Sequence, residues 1–173
     1  FLSFEFLSIT SYVLVGYLRN DKKSNEAALK YFLYGALSSA IMLYGISLLY
    51  GATGATNLAG IAKGFSTAAN DLKTLAIPAT ILTLAGFGFK IALAPFHQWS
   101  PDAYEGAPTP VTAFISVGPK VAGFAILARV MLTALPQFSV DWGGFLWAIA
   151  VISMTLGNLV ALRQRNIKRM IAY

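Results

Sequence analysis

Two lysines, Lys90 and Lys120, stand inside long apolar runs of this chain. Between them lie five prolines, the sole histidine His97 and the acidic pair Asp102 and Glu105. A lysine at the centre of a membrane-spanning helix costs about 2.5–3.5 kcal/mol on insertion scales. A sequence that accepts this cost twice moves charge, or holds charge for something that moves. Pro95 follows Lys90 closely; it lacks a backbone N–H, frees the Ile91 carbonyl and turns Ala94 away from helical geometry. A break about one turn beyond Lys90 is expected, and broken helices in membranes line cavities and ion sites. The alternative is a lysine whose stem snorkels to the interface. Lys120 is more central, so it either has a carboxylate partner or gives up its proton on desolvation. Both states make it a credible proton carrier.

Glu5 is the only carboxylate inside an apolar run, and is the natural partner for one of these lysines. The other reading puts it at the membrane interface. His97 alone cannot make a metal site; it is either a proton relay or a hydrogen-bonded residue capping the broken helix. Arg129 falls toward the end of its span and is expected to snorkel. Glu26 and Lys30 have the i, i+4 spacing of a helix-terminal pair. Asp102 and Glu105 are expected in a loop, solvated or bound to a neighbouring segment. No phosphate-binding glycine motif occurs, since Gly86-Phe-Gly-Phe-Lys90 is not GxxxxGK[ST].

The elements that must position these residues follow from hydropathy. Charged residues make up 12% of the 173 residues, about half the share in a soluble domain, and the mean hydropathy is +0.64. The expected fold is all-α, a polytopic membrane bundle of five spans. The first runs over Phe1 to Leu18 and ends at the basic turn Arg19–Lys23. Ser24 is expected to cap the second, of which Tyr31–Tyr50 alone suffices to cross a bilayer. Its small residues Gly35, Ala36, Ser38, Ser39 and Ala40 suit close helix packing. Gly51 to Asp71 reads as a loop. The third span runs from Leu72 to His97 and is broken near Pro95. A turn-rich connector, WSPDAYEGAPTP, leads to a fourth span from Pro110 to Leu135, started by Pro108 and Pro110. Pro136 to Asp141 reads as a short loop, Trp142 to Leu162 as the fifth span, and the basic segment Arg163–Arg169 follows.

Basic loops favour the cytoplasmic side. Four spans separate the loops at 19–23 and 163–169, so both fall on one side, with the connector carrying Asp102 and Glu105. The net charge of +6 is spent on these loops, which argues against nucleic acid as a partner and for the lipid bilayer. The absence of cysteine removes disulfides, thiolate metal sites and cysteine nucleophiles. With one histidine in addition, neither an iron–sulfur cluster nor a bis-histidine haem is supported, and no cofactor is expected in this chain. The first residue is Phe1 and no signal-peptide pattern is present. Residues 1–173 therefore read as one transmembrane domain from the interior of a longer membrane protein.

The run FKIALAPFHQWSPDAYEGAPTPVTAFISVGPK resembles the antiporter-like membrane subunits of respiratory complex I, most closely the branch of subunit N and of mitochondrial and chloroplast subunit 2. EAALKYFLYGALSSAIMLYGISLLYGATG and GNLVALRQRNIKRMIAY match the same branch, so the resemblance covers nearly the whole chain. It implies a proton-translocating subunit of about fourteen helices, of which this chain covers helices five to nine and the start of ten. It implies that Glu5 is the helix-five glutamate, Lys90 the lysine of the broken helix seven, paired with Glu5, and Lys120 the helix-eight lysine. It also implies partners, the other membrane subunits of complex I, and redox groups (FMN, iron–sulfur clusters and quinone, with NADH or ferredoxin as donor) that belong to partner subunits and not to this chain. The membrane implied is a bacterial plasma membrane, with thylakoid and inner mitochondrial membranes as alternatives. One departure is Pro119, where a small or polar residue is expected before the lysine; it would free the Ile115 carbonyl. Two other functions stay open: an Mrp-type cation/proton antiporter subunit, and a structural membrane scaffold.

Overall fold

The computed structural model describes residues 1–68 and 70–173. Among the described residues nine α-helices follow one another: α1 (Leu2–Val15), α2 (Lys22–Thr53), α3 (Leu58–Thr67), α4 (Asn70–Thr74), α5 (Ala76–Lys90), α6 (Trp99–Gly106), α7 (Thr109–Ala134), α8 (Ser139–Ala161) and α9 (Ile167–Ala172). A 3-10 turn at Pro136–Phe138 leads into α8. No strand occurs among the described residues. Among the described residues four helical stretches are long and apolar enough to cross a membrane: Lys22–Thr53, Leu72–Lys90, Thr109–Ala134 and Pro136–Ala161. The shorter apolar α1 joins them. This is the expected polytopic bundle.

Helix α2 has 32 residues, about 48 Å at 1.5 Å per residue, well beyond a hydrocarbon core of about 30 Å. The excess at its start carries Lys22, Lys23, Glu26 and Lys30 out of the apolar layer. Its cap is Asp21, whose carboxylate accepts from the Lys23 N–H at 2.9 Å, and not Ser24. The Ser24 hydroxyl is buried and donates instead to the Val15 carbonyl. Gly54, in the left-handed region at φ 66°, ends the helix. Ser24, Ala27, Tyr31, Gly35, Ser38, Met42, Gly45, Leu49 and Ala52 are buried. Their steps of three or four residues draw one inward stripe. Ala36 and Ala40, expected at the contact, face outward. Along that stripe α2 lies tightly against α5. A Cβ at Gly45 would stand 2.7 Å from the Thr83 amide nitrogen, so only glycine permits this approach.

Three expected loops are helical instead. Within Gly51 to Asp71, Asn57 accepts from the Gly60 N–H at 2.6 Å and starts α3; Ala69 of that stretch lies outside the described residues. The buried pair Ile61 and Phe65, four residues apart, is a one-turn apolar period too short to register beside the surrounding glycines. The connector after Pro95 holds α6, where Pro101 sits in the first turn and needs no intrahelical donor. The stretch from Pro136 to Asp141 is the 3-10 turn and the first residues of α8. Pro108 and Pro110 do start α7, and α7 runs through Pro119 without ending.

The two ends of the bundle are distinct. Lys23 and Arg169 both bind Glu105, so these residues of the two basic segments meet the α6 connector at one end of the bundle. Phe65 meets Phe138 edge-on at 5.3 Å, which brings α3 together with the turn before α8.

Candidate functional site

Helix α5 is buried without interruption from Thr83 to Lys90. It ends at Lys90 itself, one turn earlier than Pro95 led us to expect. The Ala92 N–H donates to the Phe89 carbonyl at 3.1 Å and the Leu93 N–H to the Gly88 carbonyl at 2.8 Å. Ala92 lies between them at φ 58°. This is a Schellman closure with alanine where glycine is usual, and the left-handed alanine costs about 1–2 kcal/mol. Pro95 acts after the helix has already closed. The Ala94–Pro95 peptide is cis, and the Ala94 N–H is taken by Ser153 Oγ at 3.0 Å.

The Phe89 carbonyl has a second donor. Trp99 Nε1, at the start of α6, reaches it at 2.8 Å. The Trp99 ring stacks on Tyr31 at 4.2 Å with the planes 8° apart, and both side chains are fully buried. The segment before the break and the helix after it are thus joined one residue from Lys90.

The Lys90 side chain is buried and points at α1. Its ammonium donates to the Ser8 hydroxyl, which in turn donates to the Phe4 carbonyl. The rings of Phe4, Tyr12 and Phe89 surround it, with centroids 5.0, 5.9 and 5.6 Å from Nζ, within the range of cation–π attraction. Glu5 lies one turn from Ser8 on the same helix. The implied ion pair is not made: none of the ion pairs among the described residues joins them. One carboxylate oxygen of Glu5 and the Tyr12 hydroxyl are buried without a hydrogen-bond partner. Buried polar atoms of this kind are where internal water is expected. Sequence reasoning missed Ser8 and Tyr12; their steps of three and four residues from Glu5 form a polar stripe that was the available signal.

Lys120 faces α6 rather than Lys90. Its ammonium stands 5.1 Å from the Tyr104 ring centroid. Helix α7 nonetheless passes close to the break, since a Cβ at Gly123 would lie 2.6 Å from Ile91 Cγ2 and 3.8 Å from Lys90 Cβ. His97 belongs to neither lysine. Its ring meets that of Tyr173 edge-on at 5.7 Å, beside a cavity of about 20 Å³ lined by Ala94, Ser153 and Gly157. Its Nδ1 is buried without a partner, so the expected capping hydrogen bond is not made through that atom. Arg129 is exposed.

At the end of the bundle that carries the basic segments, six charges form one network around a cavity of about 140 Å³. Lys30 bridges Glu26 at 2.7 Å and Asp102 at 2.9 Å. Arg169 bridges Asp102 at 2.6 Å and Glu105 at 3.0 Å, and Lys23 bridges Glu105 at 2.9 Å. Burial alone would push the Asp102 carboxyl up. Hydrogen bonds from Lys30 and Arg169 outweigh it and hold the group below the usual carboxylate range. Glu105 is lowered in the same way by Lys23 and then Arg169. The helix-terminal pair expected of Glu26 and Lys30 is one edge of this clamp. Among the described residues no group of three or more histidine, cysteine, aspartate or glutamate side chains could hold a metal ion.

The family described as "NADH:quinone oxidoreductase/Mrp antiporter, TM" matches the chain from residue 1 to residue 173. The chain belongs to that family. It is 54% identical over its whole length to the NADH-quinone oxidoreductase subunit N of Trichlorobacter lovleyi, of which it covers 36%. It is 55% identical to the NAD(P)H-quinone oxidoreductase subunit 2 of Nostoc punctiforme, again over its whole length and over 33% of that protein. The chain therefore spans about a third of the length of these curated relatives. Its fold is similar to a chain of respiratory complex I from Thermus thermophilus, with a TM-score of 0.80 and 42% identity over 99% of this chain and 36% of the other. It is also similar to a chain of an archaeal membrane-bound sulfane sulfur reductase, with a TM-score of 0.86 and 34% identity over 98% of this chain and 34% of the other.

Proposed function

We propose that this chain is part of a proton-translocating membrane subunit of a quinone oxidoreductase complex, and that Lys90 and Lys120 carry the proton. The observation that carries this reading is the ammonium of Lys90, buried at the closed end of an apolar helix and held by a neutral hydroxyl and three rings instead of a counter-ion. Such a cation keeps its proton only conditionally, because burial penalises the charged form. Glu5 on the facing helix supplies the condition. When its carboxylate approaches, the charged lysine is favoured; when it withdraws, the proton leaves toward α7, whose Gly123 lies against Lys90. Reforming the pair recharges Lys90 from the end that carries the basic segments.

Residues 1–173 form one stretch of a longer subunit in this reading, and the electron transfer that drives it belongs to other subunits. An iron–sulfur cluster does not fit the residues of this chain, which offers no cysteine and one histidine, and in this reading FMN and quinone also belong to other subunits. Its partners are the other membrane subunits of the complex and the surrounding lipid, and the donor is NADH or ferredoxin. The basic segments at 19–23 and 163–169 face the cytoplasm.

A second reading has its own observation. The sulfane sulfur reductase chain is at least as similar in fold as the complex I chain, so the same bundle suits ion movement driven by a different redox couple. The test is proton translocation coupled to quinone reduction in vesicles, for the full-length subunit in its complex, with Lys90→Ala and Lys120→Ala and assembly measured in parallel. Loss of translocation with assembly retained is the expected result. Wild-type translocation in both variants would overturn it and favour a scaffold. Translocation that depends on sodium, without redox partners, would favour an antiporter.

A further inference from the structure

We propose that Tyr104 is the positioning residue of Lys120, its ring face standing where a carboxylate would otherwise be needed. This rests on the reading of Lys120 as a proton carrier. The ammonium lies 5.1 Å from the ring centroid, within the distance of about 6 Å over which a ring quadrupole attracts a cation. Tyr104 is only 1% exposed, so little water competes for that face. Among the described residues no carboxylate is within ion-pair distance of Lys120. The two acids nearest to Tyr104 in sequence, Asp102 and Glu105, are engaged by Lys23, Lys30 and Arg169.

The ring is fixed relative to the helix that carries the lysine. The Tyr104 carbonyl accepts from Thr112 Oγ1 at 3.1 Å. Thr112 lies about two turns before Lys120 on α7. Asp102 and Glu105, on either side of Tyr104, pin α6 to α2 and α9. A quadrupole attracts the ammonium without supplying a full negative charge, so the ring face positions the charged end of Lys120. A buried carboxylate at the same place would hold the proton far more strongly. The ring therefore holds the Lys120 ammonium in place without an ion pair. The Tyr104 hydroxyl is buried without a partner, and this role does not use it.

The test is made in the assembled complex in vesicles, reading protons translocated per quinone reduced. Tyr104→Phe is expected to translocate as wild type, and Tyr104→Leu to lose about two- to tenfold. Mono-, di- and trifluorinated phenylalanines placed at position 104 keep the ring shape while draining its quadrupole, and translocation is expected to fall stepwise along that series. Packing alone would not respond to fluorination. A flat series overturns the proposal, and so does a loss in Tyr104→Phe, which would assign the role to the hydroxyl. If Tyr104→Leu fails to assemble, the fluorinated series decides by itself. Lys120→Met separates the two ideas: wild-type translocation there defeats the proton-carrier reading. Loss there with a flat fluorinated series defeats only the role of Tyr104.

Discussion

The indole of Trp99 donates to the carbonyl of Phe89 across 2.8 Å, fastening the helix beyond the break to the residue that precedes Lys90. Tyr31 lies flat on the same indole, and its neighbour Lys30 binds Asp102 on α6. The charged network at the end of the bundle and the buried lysine are thus connected through two aromatic rings and one hydrogen bond.

Trp99→Phe keeps a ring against Tyr31 but removes the donor to Phe89. The carbonyl retains the Ala92 N–H, so the stability cost is about 1 kcal/mol. Proton translocation is expected to fall more than thermal stability does, because Phe89 then moves with Lys90. Trp99→Ala opens a cavity as well and is expected to cost about 3–5 kcal/mol. Melting of the purified complex, compared with translocation at a fixed turnover rate, checks both.

Ser8→Ala removes the acceptor of the Lys90 ammonium. The buried lysine then has rings around it and Glu5 as the nearest acid of α1, and the outcome expected is a shift of Lys90 toward Glu5. Translocation should drop while assembly persists. A high-resolution structure of the variant complex would show whether the Lys90–Glu5 distance shortens. An unchanged distance with unchanged translocation would mean that Ser8 only fills space.

Asp102 and Glu105 both have lowered carboxyl values in the folded chain. A depressed folded value means that their stabilisation is present above the unfolded value of about 4 and is lost as pH falls through the folded one. Melting of the complex should therefore be insensitive to these groups at neutral pH and should weaken in acid, below about pH 4. Asp102→Asn loses charge-assisted bonds to Lys30 and Arg169, at a cost of about 1.5–3 kcal/mol. Its acid weakening should be smaller than in the wild type.

Ala92 holds a left-handed conformation that glycine adopts freely. Ala92→Gly is expected to leave stability equal or slightly higher, since the relief at φ 58° offsets the greater freedom of the unfolded chain. Ala92→Val should cost more than about 1–2 kcal/mol and should disturb Lys90, because the closure at Gly88 and Phe89 depends on that turn. Chemical denaturation of the solubilised subunit in its complex would rank the three.

The sequence by itself determined the class of the protein and its principal charged residues. Hydropathy and charge are properties of each residue and its near neighbours. Long uncharged runs therefore read directly as spans, and the basic turns at both ends as facing one side. Lys90 and Lys120 stood out for the same reason, as costs no apolar helix accepts without return. Local signals went unread where they were weak: Asn57 and the Ile61–Phe65 pair of α3, and a helix closed by alanine where glycine would have been the obvious mark. The tertiary structure alone decided the partners. Lys30 and Asp102 are 72 positions apart, as are Ser100 and Ala172, and no local periodicity encodes such meetings. Glu5 was the natural counter-ion for Lys90 by charge, yet the fold presents Ser8 of α1 to the ammonium. Lys120 lacked an acid in sequence, and the fold supplied the face of Tyr104. The partner of a buried charge is whichever group the packed helices bring within a few ångströms, and that depends on where whole helices cross.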